Sequence, residues 1–298
     1  LPQAQVVVAG LVLEATHPAA AVVPEDERVA PGRVAFDAPP DEIGEHACVA
    51  HALVADGAGG FIRLTWTPPA NPTVVTTPTA TAIAATSPNL GATVTDGAQL
   101  DERGGAWDTS ANPTGNSLAE GGTTTGVFTY SRTGLPAQTK VYYRGYAANA
   151  LGTNYSADGS FYTEPASPAS NVNFSGVTAT GMTINWTRGT GGAGGGVIVL
   201  MKAASAVDSD PVDGTYSGYT ADTAFSSGTQ LGAGNYVVYK GTGTSVAVTG
   251  LTGATTYYVS IYEYKGEVDT SGVDQGTNYK ATALNGNRTT NAAPPSLG

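Results

Sequence analysis

Apolar and polar positions alternate most clearly from Tyr257, where Tyr257, Val259 and Ile261 fall on one face and Tyr258, Ser260, Tyr262 and Tyr264 on the other. That period of two predicts a strand, and Gly250 to Thr255 in front of it reads as a corner feeding the strand. The pattern occurs twice, because Gly134 to Tyr143 (GLPAQTKVYY) matches it with Gly134-Leu135 for Gly250-Leu251, Thr139 for Thr255 and Val141 for Tyr257. Further strands are predicted at Ala80–Ala85, Leu90–Thr95, Gly104–Asp108, Gly126–Arg132, Lys140–Asn149 and Gly159–Thr163. A second set follows at Val172–Thr178, Met182–Thr187, Val197–Lys202, Tyr236–Lys240, Ser245–Thr249 and near Tyr279–Thr290. The stretch Ala203 to Asn235 exceeds an ordinary loop and is expected to be structured or functional.

The first seventy residues read differently, rich in alanine and valine. Gln5 to Leu13 (QVVVAGLVL) is long enough for one strand buried on both faces. Arg33–Ala38, Ala47–Ala55 and Phe61–Thr67 are further strand candidates, the last two joined across DGAGG as a hairpin, with a short helix over Glu42–Leu53 as the alternative. So few strands suit either a small third sandwich or an incomplete sheet completed by a strand from another subunit. Thr67–Pro78 (TPPANPTVVTTP) and Glu164–Ser170 (EPASPAS) read as Pro-rich spacers, and Asn291–Gly298 as a linker-like tail. The expected divisions are 1–70, 71–164, 165–290 and 291–298.

Leu251, Thr255 and Tyr257 together resemble the E–F corner and F strand of fibronectin type III and related immunoglobulin-like sandwiches. In that family the tyrosine hydroxyl bonds to backbone upstream and locks the corner. Arg144 to Gly152 (RGYAANALG) is similar to the close of the F strand in such domains of secreted bacterial surface proteins. Thr183-Ile184-Asn185-Trp186 resembles their second strand, whose tryptophan packs between the sheets. The resemblance implies an all-β chain of tandem immunoglobulin-like (fibronectin type III-like) β-sandwiches behind an N-terminal β segment. It implies a fold better than a function.

Composition narrows the classes. Among 298 residues, 40 glycines and 18 prolines favour short strands and turns over helices. Twenty-four acidic residues against 13 basic leave a net charge of −11, which repels phosphate backbones and argues against nucleic acid as a partner. Cys48 is the sole cysteine, so no intrachain disulfide forms, and no apolar run is long enough for a membrane-spanning helix. The chain starts at Leu1, as expected of a processed, secreted or cell-surface product.

Candidate chemistry is sparse. Asp208, Asp210 and Asp213 in VDSDPVDGTY are candidate calcium ligands, although a solvated turn also explains them and the spacing is not that of an EF-hand; no other cofactor is indicated. His46, Cys48 and His51 have metal-ligand types, but strand alternation puts His51 on the opposite face from the other two. Four sequons, at Asn154, Asn173, Asn185 and Asn287, are candidate glycosylation sites. Tyr258, Tyr262, Tyr264, Tyr216 and Tyr219 are expected as exposed aromatics serving cross-strand packing, a subunit contact or a glycan platform. No nucleophile elbow, P-loop or dinucleotide fingerprint occurs, and all three histidines precede residue 52, so an enzyme is not expected. The expected role is an extracellular structural subunit that self-assembles as a homo-oligomer or filament, with Val6, Val7, Val8, Leu11 and Leu13 as the assembly contact. The alternative is a non-catalytic carbohydrate-binding, adhesion or spacer module with glycans as partners.

Overall fold

A computed structural model of the chain describes residues 4–8, 11–15, 51–52, 64–65, 71–96, 100–189, 195–266 and 276–295. All regular structure among them is β. The chain falls into two compact units, 1–71 with 150–152 and the remainder. In the first of these units β1 (Ala4–Val8) pairs antiparallel with β2 (Leu11–Ala15), placing Val6 opposite Leu13, Val7 opposite Val12 and Val8 opposite Leu11. The apolar run expected as one strand is therefore two paired strands. β3 (His51–Ala52) pairs antiparallel with β4 (Leu64–Thr65), the hairpin expected across DGAGG, which removes the helix alternative at His51. Arg33–Ala38, His46 and Cys48 lie outside the described residues.

The second unit holds two sandwiches. The first comprises β5 (Thr73–Thr81), β6 (Asn89–Asp96), β7 (Glu102–Asp108), β8 (Leu118–Ala119), β9 (Gly126–Ser131), β10 (Lys140–Asn149), β11 (Gly152–Tyr155) and β12 (Gly159–Tyr162). Their order is β5-β6-β9 in one sheet and β8-β7-β10 in the other, with β11 and β12 sharing the far edge of β10. Leu90, Val94, Phe128, Val141, Tyr143 and Phe161 fill the interior. Half of the expected Thr67–Pro78 spacer, from Thr73 on, is in fact in the edge strand β5. Pro78 is tolerated there because the β5–β6 register shifts between Val75 and Thr79, and its carbonyl accepts the Tyr143 hydroxyl at 2.8 Å.

The second sandwich comprises β13 (Ser170–Ser175), β14 (Gly181–Thr187), β15 (Gly195–Ala203), β16 (Gln230–Leu231), β17 (Asn235–Gly241), β18 (Ser245–Thr249), β19 (Thr256–Lys265), β20 (Asn278–Tyr279) and β21 (Leu284–Thr289). Its sheets run β13-β14-β18 and β16-β17-β15-β19, with β20 and β21 both on the far edge of β19. Each sandwich thus sets its first two strands and the strand just before its corner against the rest, the layout implied by the fibronectin type III resemblance. Trp186 is buried between the sheets against the edge of Tyr239, 5.3 Å between ring centroids.

The larger sheet of this sandwich is buried on both faces. Tyr257, Val259 and Ile261 enter the inner core, whereas Tyr262 and Tyr264 enter a second cluster with Ile198, Leu200 and Tyr279. The cover is the Ala203–Asn235 excursion, whose Tyr219 and Leu231 complete that cluster. Backbone bonds pin it at Asp222 to Val237, Phe225 to Thr249 and Gly214 to Thr277. The expectation of exposed aromatics is corrected at Tyr219, Tyr262 and Tyr264, while Tyr216 and Tyr258 are half-buried. A period-two pattern marks two faces, but a tyrosine face looks alike whether water or another segment covers it.

Candidate functional site

The duplicated corner is built alike in both sandwiches. Leu135 and Leu251 are buried plugs, and Gly134 and Gly250 supply left-handed turns at φ +79° and +71°. Thr139 Oγ1 donates to Ala137 O at 2.9 Å, and Thr255 Oγ1 to Gly253 O at 3.2 Å. A threonine just beyond the last strand then clasps each corner. Thr163 Oγ1 accepts the Thr139 N–H at 3.0 Å and donates to Pro136 O at 2.7 Å; Thr290 Oγ1 accepts the Thr255 N–H at 3.1 Å and donates to Thr252 O at 2.6 Å. This clasp was not legible in the sequence, because the corners repeat after 116 residues whereas the clasping threonines repeat after 127.

The corners differ at one linked pair of positions. Tyr257 Oη accepts the Thr252 N–H at 2.9 Å, the lock that the resemblance implied. In the first sandwich Val141 stands in place of Tyr257, and Pro136 in place of Thr252. Proline has no N–H, so losing the hydroxyl there strands no donor.

Past the clasp, the first corner becomes half of a joint with the second sandwich. Glu164 Oε2 pairs with Lys280 Nζ at 3.0 Å and Oε1 accepts the Ala281 N–H at 3.3 Å. Asn278, 2% exposed, donates from Nδ2 to Tyr162 O at 2.8 Å and Ile83 O at 3.3 Å. Lys265 Nζ lies 5.8 Å from the Tyr162 ring centroid. The EPASPAS segment is packed between the sandwiches, with Pro165 and Ala169 buried. Gly189 lets it approach, since a Cβ there would collide with the Ser167 carbonyl, and a Cβ on Gly195 would collide with the Gln138 side chain. The two ends of the glycine-rich stretch 189–196 thus serve close packing.

The excursion braces the same joint. Asp213 Oδ1 accepts the Tyr279 N–H at 2.8 Å, and the Tyr279 hydroxyl donates to Thr215 O at 2.9 Å. Burial raises the Asp213 carboxyl above the usual carboxylate range, with the nearby Glu164 charge adding to the rise and the Tyr279 N–H opposing it. The three candidate calcium ligands are not brought together. Asp208 pairs with Lys202 Nζ at 2.7 Å and accepts Asn235 Nδ2 at 2.8 Å, and these bonds lower its carboxyl. Asp210 accepts the Tyr262 hydroxyl, which burial and this bond raise above the ordinary phenol range. Among the described residues no group of three or more His, Cys, Asp or Glu side chains is placed to hold a metal.

The sequons are scattered. Asn154 is engaged, donating from Nδ2 to Pro72 O at 2.7 Å. Asn173 and Asn185 face each other across β13 and β14, the Asn185 amide donating to Asn173 Oδ1 at 3.2 Å, and Asn287 is exposed on β21. No side-chain placement is described for Val6, Val7, Val8, Leu11 and Leu13.

The strand order places the chain in the class of tandem fibronectin type III-like sandwiches. No family model matches the sequence, and no curated protein matches it. Among solved structures it is similar to a two fibronectin type-III domain segment from chicken tenascin, at 16% identity over 74% of this chain and 100% of that one, with a TM-score of 0.37. It is also similar to the FN1-FN3 domains of chicken CNTN1, at 12% identity over 77% of this chain and 69% of that one, with a TM-score of 0.35. No helix among the described residues is long and apolar enough to cross a membrane.

Proposed function

We propose that this chain is a non-catalytic, extracellular structural or adhesion module whose two sandwiches act as one stiff unit. The joint carries the reading. A flexible tandem needs only a solvated linker, whereas here Pro165 and Ala169 of the linker are buried, a carboxylate is paired across the boundary, and one asparagine satisfies two backbone carbonyls of its neighbour. Residual dipolar couplings test it directly. Both sandwiches should share one alignment tensor in the full chain, and Asn278→Ala with Lys280→Ala should give two. Separate tensors in the unaltered chain would refute the reading.

A second reading, assembly into a homo-oligomer or filament, is favoured by the first hairpin. β1 and β2 pair only with each other among the described strands, and a two-stranded hairpin is at best marginally stable in water. An added strand from another copy would stabilise it. Deleting residues 1–15 should abolish self-association seen by light scattering while leaving the sandwich amides protected from exchange. Unchanged association would exclude the hairpin as the contact.

A further inference from the structure

The excursion covers only part of the outer sheet face. Beside it lies a groove of about 270 Å³ with Val207 on one wall and Tyr258, Ser260, Asn285 and Asn287 among its lining. Strand register sets this grouping, since Tyr258 stands opposite Asn287 and Ser260 opposite Asn285 on neighbouring strands. Ser260 Oγ donates to Asn285 Oδ1 at 2.6 Å, which orients that amide and leaves its NH2 group unused. The Tyr258 hydroxyl and the Asn287 amide make no hydrogen bond among the described residues. Lys202, opposite Tyr258 on the other side, is neutralised by Asp208 at 2.7 Å.

The lining therefore offers a half-exposed aromatic ring, amide donors and acceptors spaced about 6.8 Å apart along β21, and no unpaired charge. An anionic ligand would find no free cation, and a purely apolar ligand would desolvate the amides without replacing their bonds with water. A ligand with C–H faces and many neutral hydroxyls satisfies both halves. At just under the ~300–1,000 Å³ of pockets that enclose a small molecule, the groove suits a segment of a longer chain lying across the sheet. We propose that it binds a neutral oligosaccharide, with Tyr258 stacking on a sugar ring and Asn285 and Asn287 bonding its hydroxyls. This role does not depend on the stiffness of the joint.

The test is a titration of the full-length, unglycosylated chain with cellotriose, maltotriose and triacetylchitotriose in turn, followed by amide and side-chain amide NMR shifts. At least one sugar should give saturable shifts centred on Val207, Tyr258, Ser260, Asn285 and Asn287. Tyr258→Ala should weaken that binding about tenfold, the loss of one stacking contact of ~1–1.5 kcal/mol. Should Tyr258→Ala fail to fold, Asn287→Asp at an exposed edge position keeps the test, with a similar weakening expected. No saturable shift with any of the three sugars, shifts centred elsewhere, or binding unchanged in the variants would each overturn the proposal.

Discussion

Tyr257→Phe keeps the buried ring and removes only the hydroxyl that accepts the Thr252 N–H at 2.9 Å. Core volume is unchanged, so no cavity contribution enters. The cost is the lost bond together with a partly buried donor left unpaired, which places it at about 1–2 kcal/mol. The first sandwich supplies the control, since Pro136 and Val141 occupy the matching positions with neither partner of the bond. Thr252→Pro in the Tyr257→Phe background should therefore add little, whereas Thr252→Pro alone strands the hydroxyl. The double-mutant cycle should give a coupling of about 1 kcal/mol. Hydrogen exchange of β19 amides under mild urea reads the opening of this sandwich separately from the first. Additive single effects, within about 0.3 kcal/mol of the double variant, would refute the account of why Pro136 and Val141 occur together.

The threonine clasp predicts that Thr163→Val and Thr290→Val each destabilise their own sandwich by about 1–3 kcal/mol through an unpaired N–H, measured by the same exchange; an effect on only one sandwich would count against equivalence. Arg188 holds the 2%-exposed Glu263 through Nε and Nη2, so Arg188→Ala should cost about 3–5 kcal/mol in urea unfolding. Arg188→Met with Glu263→Leu should recover most of that, and an unaffected single variant would contradict the pair's role. Burial pushes the phenols of Tyr130 and Tyr143 up to about 12, and Tyr262 and Tyr264 are raised further. The fold favours their neutral forms, so this stabilisation is complete below pH ~10 and is lost as pH rises through 12, at about 1.4 kcal/mol per unit for each tyrosine. Tyrosinate absorbance should appear together with unfolding, and full titration near pH 10 with the fold intact would contradict it.

The strands were legible where one face is polar and the other apolar: Lys140–Asn149 and Ser245–Thr249 fall where alternation puts them. Thr73–Thr81 was hidden by its threonines and Pro78, which mimic a spacer, because a bulged edge strand needs no donor at that proline. The clasping threonines stand at the very ends of predicted strands, where alternation assigns a face and says nothing of a bond to a distant corner. The joint was illegible for another reason: Glu164, Asn278 and Lys280 belong to segments distant in the chain, and each looks like an ordinary surface polar residue until the two sandwiches meet. The excursion's tyrosines were misjudged because ring and hydroxyl suit water and interior equally.

In each sandwich a backbone bond joins the segment after the first strand to the segment after the last one, at the same pole. Glu164 N–H reaches Ala84 O at 3.4 Å and Asn291 N–H reaches Thr178 O at 3.0 Å, so the segments that follow the first and last strands leave side by side. The first and last strands therefore run in the same direction, and their opposite termini lie at opposite poles. Tension applied along the chain would pull them past each other, loading many ladder bonds together instead of peeling them singly. Resistance to such a pull is set by the unfolding rate and not by equilibrium stability. A tether made of such sandwiches holds its length under a drag that would unzip a hairpin.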